Sequence, residues 1–358
     1  MAMKLQGNLG LIAVGVILLL TTALTLYLAM PREEPSTGMG VNFTEIPLSS
    51  IEVKFLGWVV EYDPISASDF AEHVGAFNWV SPTGLYIDES GILGGDVAAD
   101  VVKTARDGGV LVLPLVANKN FDRETAHKIL MDAKTRDSVI GQLESFIDQG
   151  NYDGINIDFE DVPEGDRDGL TQFMGLLANR LRSKGKLVTI DAPAKTYDAT
   201  TGWAGAYDYG ALGDICDLVI IMAYDYHWSG GPAGAISPLD WFEDVVRYAS
   251  SVIPASRLMI GMPFYGCDWP TGGTASGITF GEALEISTEM NRTIRFDEAS
   301  GEYTFTYIRD NTRREVWFQG AKSIELRIQI LKNHGLDQVA AWRIGQEDPR
   351  TWEVIGTG

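Results

Sequence analysis

The chain has 358 residues, of which 45% are hydrophobic and 22% charged, a composition typical of a globular protein. Its formal net charge of −21 at pH 7 disfavours nucleic acid as a partner, because an acidic surface repels phosphate backbones. Two cysteines and four histidines are too few for a disulfide framework or a Cys/His metal site, so we expect no metal and no cofactor.

The first predicted element is an uncharged, apolar segment at residues 9–30. Its length matches the roughly 20 apolar residues that cross a hydrocarbon core as a helix, so we interpret it as a transmembrane signal anchor. Lys4, in the short segment 1–8, favours a cytoplasmic N-terminus and an extracellular catalytic domain. A cleaved signal peptide is the alternative, but its apolar core usually spans only about 7–15 residues. Residues 31–50 contain several prolines and glycines and are predicted to be a linker.

From residue 51 onward, short apolar runs alternate with longer amphipathic ones. The predicted strands are residues 52–59, 76–80, 109–116, 154–159, 186–191, 218–223, 257–262 and 338–342. Several are dense in Val, Ile and Leu, as expected of parallel strands that are buried on both faces. The predicted helices, with apolar residues at i, i+3 and i+4, are 137–149, 166–184, 239–251 and 321–334. Eight strands with intervening helices predict an α/β fold, a (β/α)8 TIM barrel over residues 51–358.

A doubly wound open sheet is the alternative fold. It usually carries a glycine-rich turn after its first strand, whereas residues 60–64 here read V-E-Y-D-P. Alternating segments at about residues 268–318 predict a small α+β insertion after strand seven, because a structureless loop of that length is rare. Cys216 precedes strand six and Cys267 follows strand seven, so the barrel would place them too far apart for a disulfide.

The fourth predicted strand carries three polar residues on one face. Alternate residues of a strand share a face, so Asn156, Asp158 and Glu160 point one way while the apolar residues between them point the other. The apolar face must pack against the outer helices, which sends the polar face into the barrel lumen. Two acids stacked there would raise one pKa, as a general acid requires near neutral pH. The alternative is a solvated strand end with a charged turn.

This strand resembles glycoside hydrolase family 18, whose fourth strand carries the pattern D-G-x-D-x-D-x-E. Residues 153–160 read D-G-I-N-I-D-F-E, with Asn156 where an aspartate is commonest. Residues 222–225, M-A-Y-D, resemble the end of the family's sixth strand, and residues 262–266, M-P-F-Y-G, that of the seventh. Trp342 lies where the family places a tryptophan under the sugar. The resemblance covers residues 51–353 and is strongest to the spore-cortex-lysing and chitobiase-like branch.

The resemblance implies a retaining hydrolase in which the substrate's own N-acetyl group is the nucleophile. Glu160 would protonate the glycosidic oxygen and later activate water. Asp158 would bind the acetamide N–H and stabilise the oxazolinium ion, and Tyr224 would donate its hydroxyl to the acetamide carbonyl. The residues expected to contact substrate are Asp225, Trp342, Asn156, Tyr226 and Tyr265.

Asn156 leads to a separate hypothesis. Asparagine keeps a hydrogen bond to Asp158 but cannot take up a proton or add negative charge. We therefore expect Asp158 to ionise more easily and the acidic limb of the pH profile to shift downward.

The predicted function is hydrolysis of β-linked N-acetylglucosamine glycans, either chitin or a cell-wall polysaccharide, by a membrane-anchored monomer. A catalytically silent, lectin-like barrel is the alternative, because members of this family are known that lost the acid. The presence of Glu160, Asp158 and Tyr224 argues for the enzyme. A scaffold role has no support in the sequence.

Overall fold

The computed structural model describes residue 43 and residues 46–356. The predicted cytoplasmic segment, the predicted anchor at residues 9–30 and most of the predicted linker lie outside the described residues. Within the described part of the chain, no helix combines the length and apolar character needed to cross a membrane.

Eight parallel strands, β1–β8, surround the lumen in chain order. Their bounds are β1 Lys54–Val59, β2 Trp79–Pro82, β3 Leu111–Val112 with Leu115–Asn118, β4 Gly154–Asp158, β5 Leu187–Pro193, β6 Leu218–Met222, β7 Leu258–Pro263 and β8 Gln338–Trp342. Each strand pairs with the next, and β8 pairs with β1. The predicted barrel is therefore confirmed in its strand order.

The third strand closes the ring. Its first part, Leu111–Val112, pairs with β2, and its second part, Leu115–Asn118, pairs with β4. Pro114 lies at the interruption, where it cannot donate a ladder hydrogen bond, while its carbonyl accepts from the Asn156 amide at 3.0 Å. Because one strand links β2 to β4, the sheet is closed and the open-sheet alternative is wrong.

Helices cover the outside of the ring through their apolar faces. Their bounds are Pro64–Glu72, Ala99–Gly108, Arg123–Met131, Ala133–Gly150, Arg167–Arg182, Tyr209–Ile215, Leu239–Val252, Ala321–Asn333 and Thr351–Val354. Short 3-10 turns occupy Val74–Ala76, Lys119–Phe121, Glu164–Asp166 and Ala255–Arg257. Minor strands are Ile51–Glu52, which pairs with Ile355–Gly356, and Leu85–Ile87, which pairs with Leu93–Gly94 and with β3.

The chain enters β4 through a well-defined helix end. Helix Ala133–Gly150 begins after Asp132, whose carboxylate accepts from the Thr135 amide at 2.7 Å, and it ends at Asn151, whose φ of 47° lies in the left-handed region. Asp153 then accepts from the Val112 amide at 2.9 Å, so β4 is fixed against β3. The outward residues Ile155 and Ile157 of β4 are fully buried against the helix layer, and Phe159, directly after the strand, has its ring 5.3 Å from that of Phe173.

The segment between β7 and β8 forms a second, antiparallel sheet of five strands with one helix, Phe280–Glu289. The strands are Gly266–Pro270, Ser276–Ile278, Arg295–Asp297, Glu302–Arg309 and Thr312–Phe318. Aromatic residues of these strands and of the helix pack into a separate small core.

Both cysteines are buried and free, as their predicted positions required. Cys216 directly precedes β6, and Cys267 follows β7 in the antiparallel sheet. Burial raises the pKa of each thiol to about 12. Both thiols are therefore neutral at physiological pH and behave as small apolar core groups.

Candidate active site

The polar face of β4 points into the barrel. Asn156 is 0% exposed and Asp158 is 7% exposed, so neither side chain is solvated like a surface residue. The strand ends at Asp158, two residues earlier than Glu160. Glu160 therefore lies just beyond the strand, half-buried at its C-terminal end, where active sites of TIM barrels form.

The backbone of Glu160 is held by a side chain that the sequence did not single out. Asn118, at the end of β3, accepts from the Glu160 amide at 2.9 Å and donates to its carbonyl at 3.0 Å. The hydroxyl of Tyr207 donates to the carbonyl of Phe159 at 2.5 Å. These contacts fix the turn that carries Glu160 without using its carboxyl group, which stays available for a ligand.

The carboxyl of Glu160 is protonated at neutral pH. Burial, followed by the charges of Asp158 and Asp225, raises its pKa to about 8. Each cause acts in the expected direction, because a low-dielectric site and nearby negative charge both disfavour an ionised carboxylate. The arrangement therefore supplies a carboxylic acid that can donate a proton near pH 7.

The end of β6 brings a phenol and a further carboxyl to the same place. The pKa of Tyr224 is raised well above its ordinary value, first by burial and then by the charges of four acids, Asp191, Asp158, Glu160 and Asp225. Asp225 follows with a φ of 60°, and the Tyr265 hydroxyl donates to its carboxylate. Burial raises the pKa of Asp225, and the bond from Tyr265 opposes that rise.

Aromatic side chains form the floor and rim of the site. Trp342, at the end of β8, lies edge-on to Trp58 with ring centroids 6.0 Å apart, and a cis peptide bond joins it to Arg343. Tyr226 and Trp228, in the loop after β6, are 51% and 57% exposed. Tyr226 packs against Trp241 and lies at the surface, outside the cluster of acids.

The contacts of Asn156 differ from the expected ones. Its amide donates to Asp191 at 2.7 Å and, at 3.3 Å, to Ser81, while its oxygen accepts from Thr189 at 2.6 Å. The expected bond to Asp158 is not among the contacts of residues 46–356. Asn156 is therefore tied to β2 and β5, and the prediction that it hydrogen bonds to Asp158 is wrong.

Asp191, on β5, is the acid that the sequence analysis missed. It is 2% exposed, and its charge acts on Asp158. Burial and this neighbour hold the pKa of Asp158 well above its ordinary value. Because β5 supplies this second carboxyl, Asp158 does have an acidic neighbour, and the expectation that Asn156 makes it easier to ionise than an aspartate would stays a prediction. The sequence analysis placed Asp191 only as the last residue of the predicted strand 186–191, whereas the strand runs to Pro193.

The site thus combines a protonated carboxylic acid, a second, buried acid beneath it, a half-buried phenol and an apolar aromatic floor. Among residues 43 and 46–356, no group of three or more His, Cys, Asp and Glu side chains is arranged to hold a metal ion. The arrangement suits proton transfer to a leaving oxygen and recognition of a ring with one apolar face.

The chain is similar to proteins that act on glycans. A spore cortex-lytic enzyme of Bacillus cereus has a similar structure, with a TM-score of 0.80 and 26% identity, covering 86% of this chain and 74% of that one. A chitinase of Chromobacterium violaceum has a TM-score of 0.79 and 26% identity, covering 84% of this chain and 96% of that one. A cortical fragment-lytic enzyme of Bacillus anthracis is 30% identical over 252 residues, which are 69% of this chain and 59% of that protein.

The chain thus spans about three fifths of the length of the first curated relatives that it matches. Residues 98–347 match the family described as glycosyl hydrolases family 18. This segment includes six of the eight barrel strands, β3 through β8, and the antiparallel sheet between β7 and β8. The chain belongs to glycosyl hydrolases family 18.

Proposed function

We propose that the protein is a retaining glycosidase that cleaves β-linked N-acetylglucosamine-containing glycans, with Glu160 as acid and base. The observation that carries this proposal is the position of Glu160 at the C-terminal mouth of the barrel, where burial and two neighbouring acids raise its pKa to about 8. A carboxylic acid in this state donates a proton at neutral pH, whereas a solvated glutamate would be ionised.

In the proposed first step, the acetamide oxygen of the substrate attacks the anomeric carbon while the glycosidic bond breaks. The leaving oxygen takes the proton of Glu160, which becomes a carboxylate. Asp158, in its ionised form, stabilises the oxazolinium cation through the acetamide N–H, and Tyr224 hydrogen bonds to the acetamide oxygen. Holding the reacting atoms in this geometry removes much of the entropic cost of the reaction.

In the second step, water attacks the anomeric carbon from the side that the leaving group vacated. Glu160 takes a proton from this water and returns to its acid form, and the acetamide is released from the ring. Two inversions at one carbon give net retention. The scheme needs no carboxylate nucleophile, and its first step uses the carboxyl of Glu160, whose pKa is raised to about 8, as the acid.

The substrate class follows from the acetamide requirement and the aromatic floor. Chitin and peptidoglycan both present an N-acetyl group on the sugar whose bond would be cleaved. Trp342 offers an apolar face for a pyranose, and the exposed Tyr226 and Trp228 offer further faces at the rim. The similarity to cortex-lytic enzymes, chitinases and a rat di-N-acetylchitobiase, 25% identical over 256 residues, supports this class.

We also propose that the enzyme acts as a monomer tethered to the outer face of a cell membrane. Residues 9–30 form an uncharged, apolar segment of sufficient length, preceded by Lys4 and followed by a segment with several prolines and glycines. A wall glycan on that side of the membrane would then be within reach of the barrel.

The test is a comparison of Glu160→Gln with Glu164→Gln on chitobiosides and on purified peptidoglycan. Glu164 is an exposed neighbour that pairs with Arg123 at 3.4 Å. We expect the Glu160 variant to lose about 10²- to 10⁴-fold in kcat/KM and the Glu164 variant to remain near the original rate. The products should first appear as the β-anomer in NMR spectra.

Two results would contradict the proposal. Hydrolysis that survives Glu160→Gln at its original rate would exclude Glu160 as the acid. Glycan binding without hydrolysis in the unsubstituted protein would instead support the lectin-like barrel.

A further inference from the structure

The proposed reaction leaves one buried acid of the lumen, Asp191, without a role. Ile157 of β4 pairs with Ile190 of β5, so Asp158 and Asp191 occupy the next position on two neighbouring strands. Within the described residues, the Oδ1 atom of each of these two carboxyls is buried and has no hydrogen-bond partner. Burying a carboxylate oxygen without a hydrogen bond costs free energy. Two such oxygens on residues of neighbouring strands therefore need an explanation.

Among the residues that the structure describes, the groups found to act on Asp191 include no cation. Three ionisable groups interact electrostatically with Asp191: Asp158 of β4, Glu160 just after it and Tyr224 beyond β6. Two neutral side chains act on it as N–H donors, Asn156 of β4 and Trp58 of β1. The ionisable members of this set are acids or a phenol. Burial first, and then the charge of Glu160, hold the pKa of Asp191 above its ordinary value, while the N–H donors of the Asn156 and Trp58 side chains oppose the rise.

The orientation of Asn156 is set by its other contacts. Thr189 donates its hydroxyl to the Asn156 oxygen at 2.6 Å, and the Asn156 amide nitrogen donates to Asp191 at 2.7 Å. This bond occupies Oδ2 of Asp191 and leaves Oδ1 as the atom that can bind a proton. Asn156 therefore holds the Asp191 carboxyl in place without being able to exchange a proton with it.

Two adjacent buried carboxyls share one proton, because ionising both brings like charges together in a low dielectric. We propose that Asp191 is a positioning residue that shares one proton with Asp158 and supplies, from β5, the second carboxyl that Asn156 cannot provide. The geometry places this carboxyl on the neighbouring strand rather than two residues earlier on β4.

The consequence for catalysis rests on the proposed function. Asp158 must be ionised when it stabilises the oxazolinium cation, so its proton needs an acceptor that is buried with it. In the proposed transfer, the proton leaves an Asp158 oxygen and binds Oδ1 of Asp191, and no other bond changes. After the intermediate is hydrolysed, the proton returns to Asp158.

The first test is the pH dependence of kcat/KM in Asp191→Asn. Asparagine cannot accept the proton of Asp158, so Asp158 must release it to solvent in order to ionise, and the acidic limb should move to higher pH by about one unit. Ser81→Ala is the matched control, because it alters a lumen contact of Asn156 but removes no charge. Its acidic limb should stay in place. An active Asp191→Asn variant with an unmoved acidic limb would overturn the proposal.

In the second test, a carboxyl is introduced on β4, at residue 156. In the double variant Asn156→Asp with Asp191→Asn, the carboxyl and amide exchange strands, and the acidic limb should move back toward its original position. A purely structural role of Asp191 predicts no such recovery. A double variant whose acidic limb matches that of Asp191→Asn alone would contradict proton sharing.

A third measurement separates this inference from the proposed function. Thermal unfolding of Asp158→Asn, Asp191→Asn and the double variant, each compared at pH 4 and pH 7, forms a double-mutant cycle that needs no substrate. If the two carboxyls share a proton, the protein loses stability as the pH rises from 4 to 7, and either single substitution should remove most of this loss. The effects of the two substitutions on that loss are then not additive. Additive effects would overturn the inference. Absence of hydrolysis alone would overturn only the proposed function.

Discussion

At the scale of single residues, the protonation of Glu160 depends on the acids around it. Asp225 lies beyond β6 and contributes to the raised pKa of Glu160 through its charge, as does Asp158. The proposed general acid must be protonated, so kcat/KM should fall as the pH rises through about 8, the pKa of Glu160. This alkaline limb reports the pKa of the free enzyme's acid.

Replacing Asp225 by Asn should move the alkaline limb to lower pH. The substitution removes a negative charge that disfavours ionised Glu160, so the pKa of Glu160 should fall by about half a unit to one unit. A kcat/KM profile between pH 5 and pH 10 measures the shift. Asp161→Asn is the matched control, because it also removes one negative charge next to Glu160 in the sequence. The carboxylate of Asp161 differs from that of Asp225 in that it pairs with Arg123 at 2.8 Å. An alkaline limb that stays in place in the Asp225 variant, or moves equally in the control, would count against this electrostatic account.

At the scale of elements, a buried ion pair joins the antiparallel sheet to the loop after β6. Glu302 accepts from the amides of Ile236 and Ser237 at 2.9 and 2.7 Å, and Arg327 donates to Glu302 at 2.9 Å. The hydroxyl of Ser237 donates to the carbonyl of Ala223, directly before the phenol of the site. Burial lowers the pKa of Arg327 to about 10, and Glu302 opposes that fall, so the guanidinium stays charged at neutral pH.

Replacing Arg327 by Met should lower the free energy of unfolding by about 3–5 kcal/mol, because Glu302 would remain buried without its cation. It should also lower kcat, since the loop that carries Tyr224 loses its support. Chemical denaturation and steady-state kinetics measure the two effects. Arg309→Met is the control, because the Arg309–Glu289 pair is exposed and should contribute only about 0–1 kcal/mol. Similar costs for the two variants would show that the buried pair has no special role.

The elements also show which parts of the site the sequence could predict. The polar residues of β4 and the turn after it could be predicted, because period-2 alternation places Asn156, Asp158 and Glu160 on one face. Asp191 could not be predicted, because its partnership with Asp158 depends on the register between β4 and β5. Asn118 was missed for the same reason, since its contact with Glu160 crosses from β3 to the turn after β4. Contacts along one strand follow from local pattern, whereas contacts across strands require the fold.

At the scale of the whole molecule, net charge and the apolar N-terminal segment bear on the same question of location. A net charge of −21 repels anionic lipid surfaces and anionic wall polymers, so adsorption by charge cannot hold the enzyme near its glycan. Residues Val41–Gly358 form one compact unit, whose pairing from β1 to β8 is complete within itself. Retention at a membrane would therefore depend on residues 9–30, and the barrel should fold whether or not they are attached.

Two arginines within residues 9–30 should release the enzyme from the membrane. A charged residue at the centre of a spanning segment costs about 2.5–3.5 kcal/mol on insertion scales, so Val16→Arg with Leu19→Arg should prevent insertion while hydrolytic activity per molecule is retained. The unsubstituted chain should remain in the membrane fraction after an alkaline carbonate wash. Ile308→Arg, at an exposed position of the antiparallel sheet, should leave the distribution unchanged. A secreted product whose mass lacks the apolar segment would instead establish a cleaved signal peptide, and the enzyme would then reach its glycan by diffusion alone.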